Sequence, residues 1–106
     1  MRRGDLVTVA VSGDYGKPRP ALIVQADAFD GHPSVIVLPL TSEVHAAPLF
    51  RVPVNAGRAT GLRVVSQIMV DKATAVPRVK LGVRIGQVDA ATLKAVNEAL
   101  RGFLGL

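Results

Sequence analysis

Apolar and β-branched positions along the chain fall into short runs, at Leu6 to Val11, Ala21 to Gln25, Val35 to Leu40, Phe50 to Val54, Arg63 to Val70 and Val83 to Val88. Alternation puts successive side chains on opposite faces, so these runs predict five or six strands. Turn-forming clusters separate them, at Ser12-Gly13-Asp14-Tyr15-Gly16, Phe29-Asp30-Gly31-His32-Pro33, Asn55-Ala56-Gly57 and Thr60-Gly61. Strands so short and so closely spaced predict a small, strongly bent sheet or partial barrel. Toward the end of the chain the period changes. Asp89 can cap a helix in which Leu93, Val96, Leu100, Phe103 and Leu104 share one face, with Lys94, Glu98 and Arg101 elsewhere. This amphipathic helix is expected to pack on the sheet, and a shorter helical turn is expected at Asp71 to Ala75, before Pro77 stops it. The fold class is mainly β with helices.

Composition narrows the picture. A chain of 106 residues suits a single domain, 1–106. A hydrophobic fraction of 49% with seven prolines describes a folded, turn-rich protein. The absence of cysteine removes disulfides, thiolate zinc sites and a cysteine nucleophile. No apolar run approaches the roughly 20 residues a spanning helix needs, and Met1-Arg2-Arg3 is followed by Asp5 rather than by the apolar core of a signal peptide. A cytoplasmic location without a membrane partner is expected. The net charge of +5 lies in the second half, because residues 1–53 carry five basic and five acidic groups. From Arg58 to Arg84 the cations Arg58, Arg63, Lys72, Arg78, Lys80 and Arg84 meet only Asp71 in the sequence. Such a surplus suits nucleic acid or an acidic peptide, or serves as a solubilising face.

Several residues could carry chemistry. Arg19 stands between Pro18 and Pro20, each of which fixes its own φ and pushes the preceding residue toward extended geometry. A guanidinium so restrained is aimed in advance, and its planar fork can hold two phosphate oxygens. From the tripeptide alone, a surface arginine in a proline-rich loop is the simpler reading. Thr41 and Ser42 end the run Val35 to Leu40 and bring hydroxyls to a strand end, where they cap a turn or donate to a phosphate oxygen. Gln67 interrupts an apolar stretch, either facing outward by alternation or hydrogen-bonded in a cleft from which it could read base edges. His32 and His45 sit in turn and loop contexts without a tuned partner. No metal-ligand spacing and no GxxxxGK[ST] phosphate loop is present, so no cofactor or metal is expected.

Taken in order, Arg3-Gly4-Asp5, GKPRPALIVQAD at 16–27, VLPLTSE at 37–43, SQIMVDK at 66–72 and the closing amphipathic helix resemble the MazF/PemK group of toxin endoribonucleases from type II toxin–antitoxin systems. The resemblance spans nearly the whole chain. It implies the SH3-like small barrel shared by MazF, CcdB and Kid plasmid maintenance toxins, a homodimer, and sequence-specific, metal-independent cleavage of single-stranded RNA. It further implies that Arg19 and Thr41 form the catalytic centre, with Tyr15, Lys17, Ser42 and Gln67 as RNA-binding candidates. The implied reaction is attack by a ribose 2′-hydroxyl on the adjacent phosphate, leaving 2′,3′-cyclic phosphate and 5′-hydroxyl ends. An arginine guanidinium stays protonated at any working pH, which makes Arg19 a poor general base, so the base is unassigned. The partners implied are RNA and an antitoxin with an acidic, disordered segment.

Two positions depart from the family pattern. Leu6-Val7-Thr8-Val9 lacks the aromatic residue often found in the first strand, and Met69 stands where a basic residue is common. Sequence preference is expected to reside in mobile loops around Ser12 to Lys17 and Asn55 to Gly61. The alternative from another class is a CcdB-like toxin that binds gyrase and cleaves nothing. Those toxins use a tryptophan near the C-terminus, and this chain has none. A third reading is an SH3-like RNA-binding module without activity.

Overall fold

The computed structural model describes residues 1–10 and 17–106. Among the described residues seven strands, β1 (Asp5–Ala10), β2 (Pro18–Ile23), β3 (Ser34–Thr41), β4 (Arg51–Val54), β5 (Ser66–Met69), β6 (Thr74–Pro77) and β7 (Leu81–Gln87), precede the helix α1 (Ala90–Leu104). The strands pair antiparallel in the order β4-β5-β3-β2-β1-β7, and β6 pairs with β3. The strand β3 bends the assembly. Its first half, Ser34 to Val37, pairs with β6, whereas Leu40 and Thr41 at its end pair with β5. Pro39, which has no N–H to donate, falls between these two partners.

Alternation along β1, β2 and β3 feeds two cores, so these strands are buried on both faces. Leu6, Leu22, Leu38 and Leu40 join Val52, Ile68, Val70 and Val96 on one side. On the other side Val7, Val9, Ala21, Ile23, Val35 and Val37 are covered by Val76 and Leu81. The helix closes the first core. Asp89 caps it by accepting from the Thr92 N–H at 2.8 Å, and Gly105 ends it in the left-handed region at φ 73°. Val96 is fully buried and Leu93 and Leu100 pack beside it, while Phe103 and Leu104, expected on the same face, remain about half exposed.

Three segments differ from the sequence expectation. The strand β2 begins at Pro18, not Ala21, because Pro18, Arg19 and Pro20 pair with β1 opposite Ala10, Val9 and Thr8. The strand expected over Arg63 to Val70 is confined to Ser66–Met69. The helical turn expected at Asp71 to Ala75 is a 3₁₀ turn at Val70–Lys72 followed by β6, a strand too short to show a period and fixed by pairing with β3. Tyr15 and most of the loop from Ser12 to Lys17 lie outside the described residues.

The segment Asn55 to Gly61 is packed rather than loose. Gly57 N–H donates to the Leu62 carbonyl, Gly61 N–H to the Gly57 carbonyl, and Gln87 N–H to the Ala59 carbonyl, at 2.9–3.1 Å. A Cβ on Gly61 would stand 2.0 Å from the Ile85 carbonyl oxygen, so glycine is required for this loop to lie against β7.

Candidate active site

Pairing of β2 with β3 brings Arg19 and Thr41 together. Ala21 lies opposite Pro39, Leu22 opposite Leu38, and Ile23 opposite Val37. The ladder stops at Ala21 and Pro39, and Arg19 of β2 and Thr41 of β3 each lie two residues beyond that last pair. Both side chains line one depression of about 640 Å³, with Ser42, Glu43, Arg63 and Met69 around it and Leu40 and Leu62 in its wall. Arg19 is exposed, and its backbone is fixed by Pro18 and Pro20 on either side and by pairing with Val9 of β1. The cation is therefore mounted on a strand rather than on a loop.

Thr41 ends β3 half-buried, paired with Gln67 of β5. Its Oγ1 accepts a hydrogen bond from the Glu43 N–H at 3.1 Å. Because the hydroxyl oxygen is the acceptor there, its own proton stays available for donation to a ligand oxygen. The chain after Thr41 is held by Gln67, which is buried at 6% exposure. Gln67 Oε1 accepts from the His45 N–H at 3.1 Å and Nε2 donates to the His45 carbonyl at 2.7 Å. Its amide is thus taken up at both ends by the backbone of a neighbouring turn. Gln67 faces inward, and it is the reason that the turn 42–45 is fixed over the sheet rim.

The remaining candidates are placed as follows. Ser42 lines the depression and is exposed. Lys17 is exposed immediately before β2 and is not among the lining residues. Neither histidine reaches the depression. His32 Nδ1 accepts from the Ser34 N–H at 3.1 Å within its own turn, and His45 is held through its backbone. The sequence did not single out Glu43 for this place, nor Arg63 beyond its charge, and it noted Met69 only as a departure from the family pattern. All three become neighbours of Arg19 once β5 is laid beside the end of β3, a pairing the alternation of 66–69 alone does not specify.

The basic stretch is less open than its sequence suggests. Arg84 pairs with Asp5 at 3.1 Å, Lys72 with Asp71 at 3.5 Å and Arg78 with Asp30 at 3.7 Å. Asp5 and Asp30 come from the neutral half of the chain. Arg63 lines the depression, and Arg58 lines a separate cleft beside the start of α1. A second depression, apolar and of about 610 Å³, lies between α1 and the segment 48–53 and includes Phe50, Ala99 and Phe103 in its wall. The two rings sit 6.3 Å apart.

The family model described as PemK-like, MazF-like toxin of type II toxin–antitoxin system matches residues 2–104. The chain is 47% identical over 107 residues to a probable endoribonuclease MazF of Mycolicibacterium smegmatis, covering all of this chain and 98% of that protein. It is 30% identical over 116 residues to endoribonuclease MazF9 of Mycobacterium tuberculosis, again covering the whole chain and 98% of the relative. Among solved structures, the Mycobacterium tuberculosis toxin MazF-mt6 superposes with a TM-score of 0.83 at 28% identity, over 96% of this chain and 97% of that one. A mycobacterial endoribonuclease in complex with its cognate antitoxin superposes with a TM-score of 0.81 at 26% identity, over 100% and 96% of the two chains.

Proposed function

Because the chain belongs to the PemK-like, MazF-like toxin family of type II toxin–antitoxin systems, we propose that it is an endoribonuclease that cuts single-stranded RNA in the depression between Arg19 and Thr41. The observation that carries this reading is the shared depression, lined by Arg19, whose backbone is fixed on β2, and by Thr41, whose hydroxyl proton is free to be donated. RNA supplies its own nucleophile. The ribose 2′-oxygen attacks the adjacent phosphorus, the bond to the 5′-oxygen breaks, and a 2′,3′-cyclic phosphate and a 5′-hydroxyl result. Arg19 and Thr41 donate to the non-bridging oxygens as negative charge builds on them. One such preorganised donor contributes about 3 to 4 kcal/mol of transition-state stabilisation. No step calls for a metal ion or a cofactor.

Substrate strands would be held by Ser42 and Arg63 around the centre, with Lys17 and Tyr15, which precede β2 in the sequence, as further RNA-binding candidates. Gln67 enters through the turn it holds. The apolar depression beside α1, with the half-exposed Phe103 and Leu104, suits a partner surface. We assign it to assembly of a homodimer, and the basic rim of the active depression to an acidic antitoxin segment in the cytoplasm. That an antitoxin partner exists is supported by the mycobacterial relative solved with its own.

The gyrase-binding alternative assigns no work to the Arg19–Thr41 pair. Arg19→Ala discriminates: on the endoribonuclease reading, the folded variant cuts RNA about 10² to 10³ times more slowly. Folded Arg19→Ala that cuts like wild type would refute the assignment.

A further inference from the structure

Transfer of a phosphoryl bond to the 2′-oxygen needs an acceptor for the 2′-hydroxyl proton, and neither Arg19 nor Thr41 can serve. Arginine stays protonated at any working pH. A threonine hydroxyl is a donor to phosphate, not a base for another alcohol. The histidines do not line the depression. Among the described lining residues the ionisable groups are Arg19 from β2, Arg63 from the segment before β5, and Glu43 from the turn after β3. Glu43 is the one among them that can accept a proton.

We propose that Glu43 is the general base of the cleavage reaction, an inference that rests on the endoribonuclease reading above. Its backbone is positioned rather than loose. The Glu43 N–H donates to Thr41 Oγ1 at 3.1 Å, which ties the base to the phosphate-binding hydroxyl. Two residues on, His45 is gripped at both its N–H and its carbonyl by the buried Gln67 amide. The turn carrying the carboxylate is thereby clamped at Thr41 on one side and at His45 on the other. A side chain on such a turn reaches the same depression as Arg19 each time, as a proton acceptor must.

The step balances without a further reactant. The Glu43 carboxylate takes the 2′-hydroxyl proton as the 2′-oxygen bonds to phosphorus. The phosphorus–5′-oxygen bond breaks, and the leaving oxygen takes a proton from solvent water. Glu43 then releases its proton to solvent, so the carboxylate is regenerated. Arg19 and Arg63 line the same depression as Glu43, while Asp71 is engaged by Arg51 and Lys72 elsewhere.

Glu43→Gln tests the proposal, since the position is exposed and the amide keeps its shape and its backbone bond. Single-turnover cleavage of an RNA oligonucleotide spanning a mapped cut site is followed across pH. Binding is measured with the same oligonucleotide carrying a 2′-deoxyribose at that site. Loss of a general base lowers the rate by about 10² to 10⁴-fold. The expected variant binds like wild type, cuts slower by that factor, and loses the rise of rate with pH on the acidic limb. Glu43→Ala should recover part of its rate in added formate, which a merely structural role would not allow. A variant with wild-type rate, one that loses only affinity, or one that keeps the acidic limb overturns the assignment while leaving Arg19 and Thr41 in place. RNA left intact by the wild-type protein would overturn the underlying endoribonuclease reading as well.

Discussion

Replacing Gln67 by leucine removes two hydrogen bonds from a buried position while keeping a side chain of similar size. Both bonds end on His45, at 3.1 Å from its N–H and at 2.7 Å to its carbonyl. A protein hydrogen bond contributes about 1 kcal/mol net, so the pair contributes about 2 kcal/mol. His45 is exposed, and water recovers part of the lost bonding, which leaves about 1 to 2 kcal/mol. At about 4 °C per kcal/mol for a domain of this length, the melting temperature falls by about 4 to 8 °C. The larger consequence lies in the turn. With its anchor gone, Ser42 and Glu43 lose their fixed relation to Thr41 and Arg19. A displacement of about 1 Å costs on the order of 10²-fold in rate. The assay pairs thermal melts with single-turnover cleavage well below the melting range, at saturating RNA. The expected result is a modest drop in stability, a large drop in maximal rate, and an unchanged cleavage sequence. A lower melting temperature with full rate would show that the turn holds its place without Gln67. An altered cleavage sequence at full rate would instead return Gln67 to direct contact with bases.

Four further perturbations probe other parts of the account. Thr41→Ala should slow cleavage by about 10² to 10³-fold in a folded protein, whereas the double variant His32→Ala with His45→Ala should keep most of its rate. A folded but inactive double variant would bring an imidazole into the mechanism. Gly61→Ala combines a left-handed backbone with a collision at Ile85, and strain and overpacking of this kind cost about 1 to 3 kcal/mol each; a melting temperature equal to wild type would mean the loop is not seated against β7. For Asp89, the Thr92 hydroxyl and then its N–H lower the carboxyl below the usual 3.8. A depressed folded-state value stabilises above the unfolded one and is lost as the pH falls through it. The melting-temperature difference between wild type and Asp89→Ala should therefore be full at neutral pH and narrow below 3.8; a gap that does not narrow would remove the charge from the cap's contribution.

Much of the fold was legible because it is written in local patterns. The runs leading into β1, β3 and β4, the capping Asp89 and the apolar face of α1 stand within a few residues of where the periodicity placed them. What local pattern could not show is pairing. Pro18 and Pro20 suited a proline-rich loop, yet they belong to β2, paired with Ala10 and Thr8 of β1. The strand β6 is fixed by its pairing with β3. Likewise Arg19 and Thr41 were each visible as residues, but that they line one depression depends on how β2, β3 and β5 are laid together. The basic stretch was misjudged in openness because its counter-charges, Asp5 and Asp30, come from the far end of the chain. Gln67 announced itself as a polar residue in an apolar run, and its partner, the backbone of His45, leaves no trace in composition.

The chemistry assigned to the Arg19–Thr41 depression is tested most directly by the ends of the RNA it cuts. Purified protein is incubated with a long single-stranded RNA in EDTA, with Arg19→Ala alongside, and the fragments are analysed by mass spectrometry. The account predicts discrete cuts by the wild type, with 2′,3′-cyclic phosphate on one fragment and a 5′-hydroxyl on the next, and little or no cutting by the variant. Intact RNA in EDTA with cutting restored by magnesium, or fragments bearing 5′-phosphates, would contradict it.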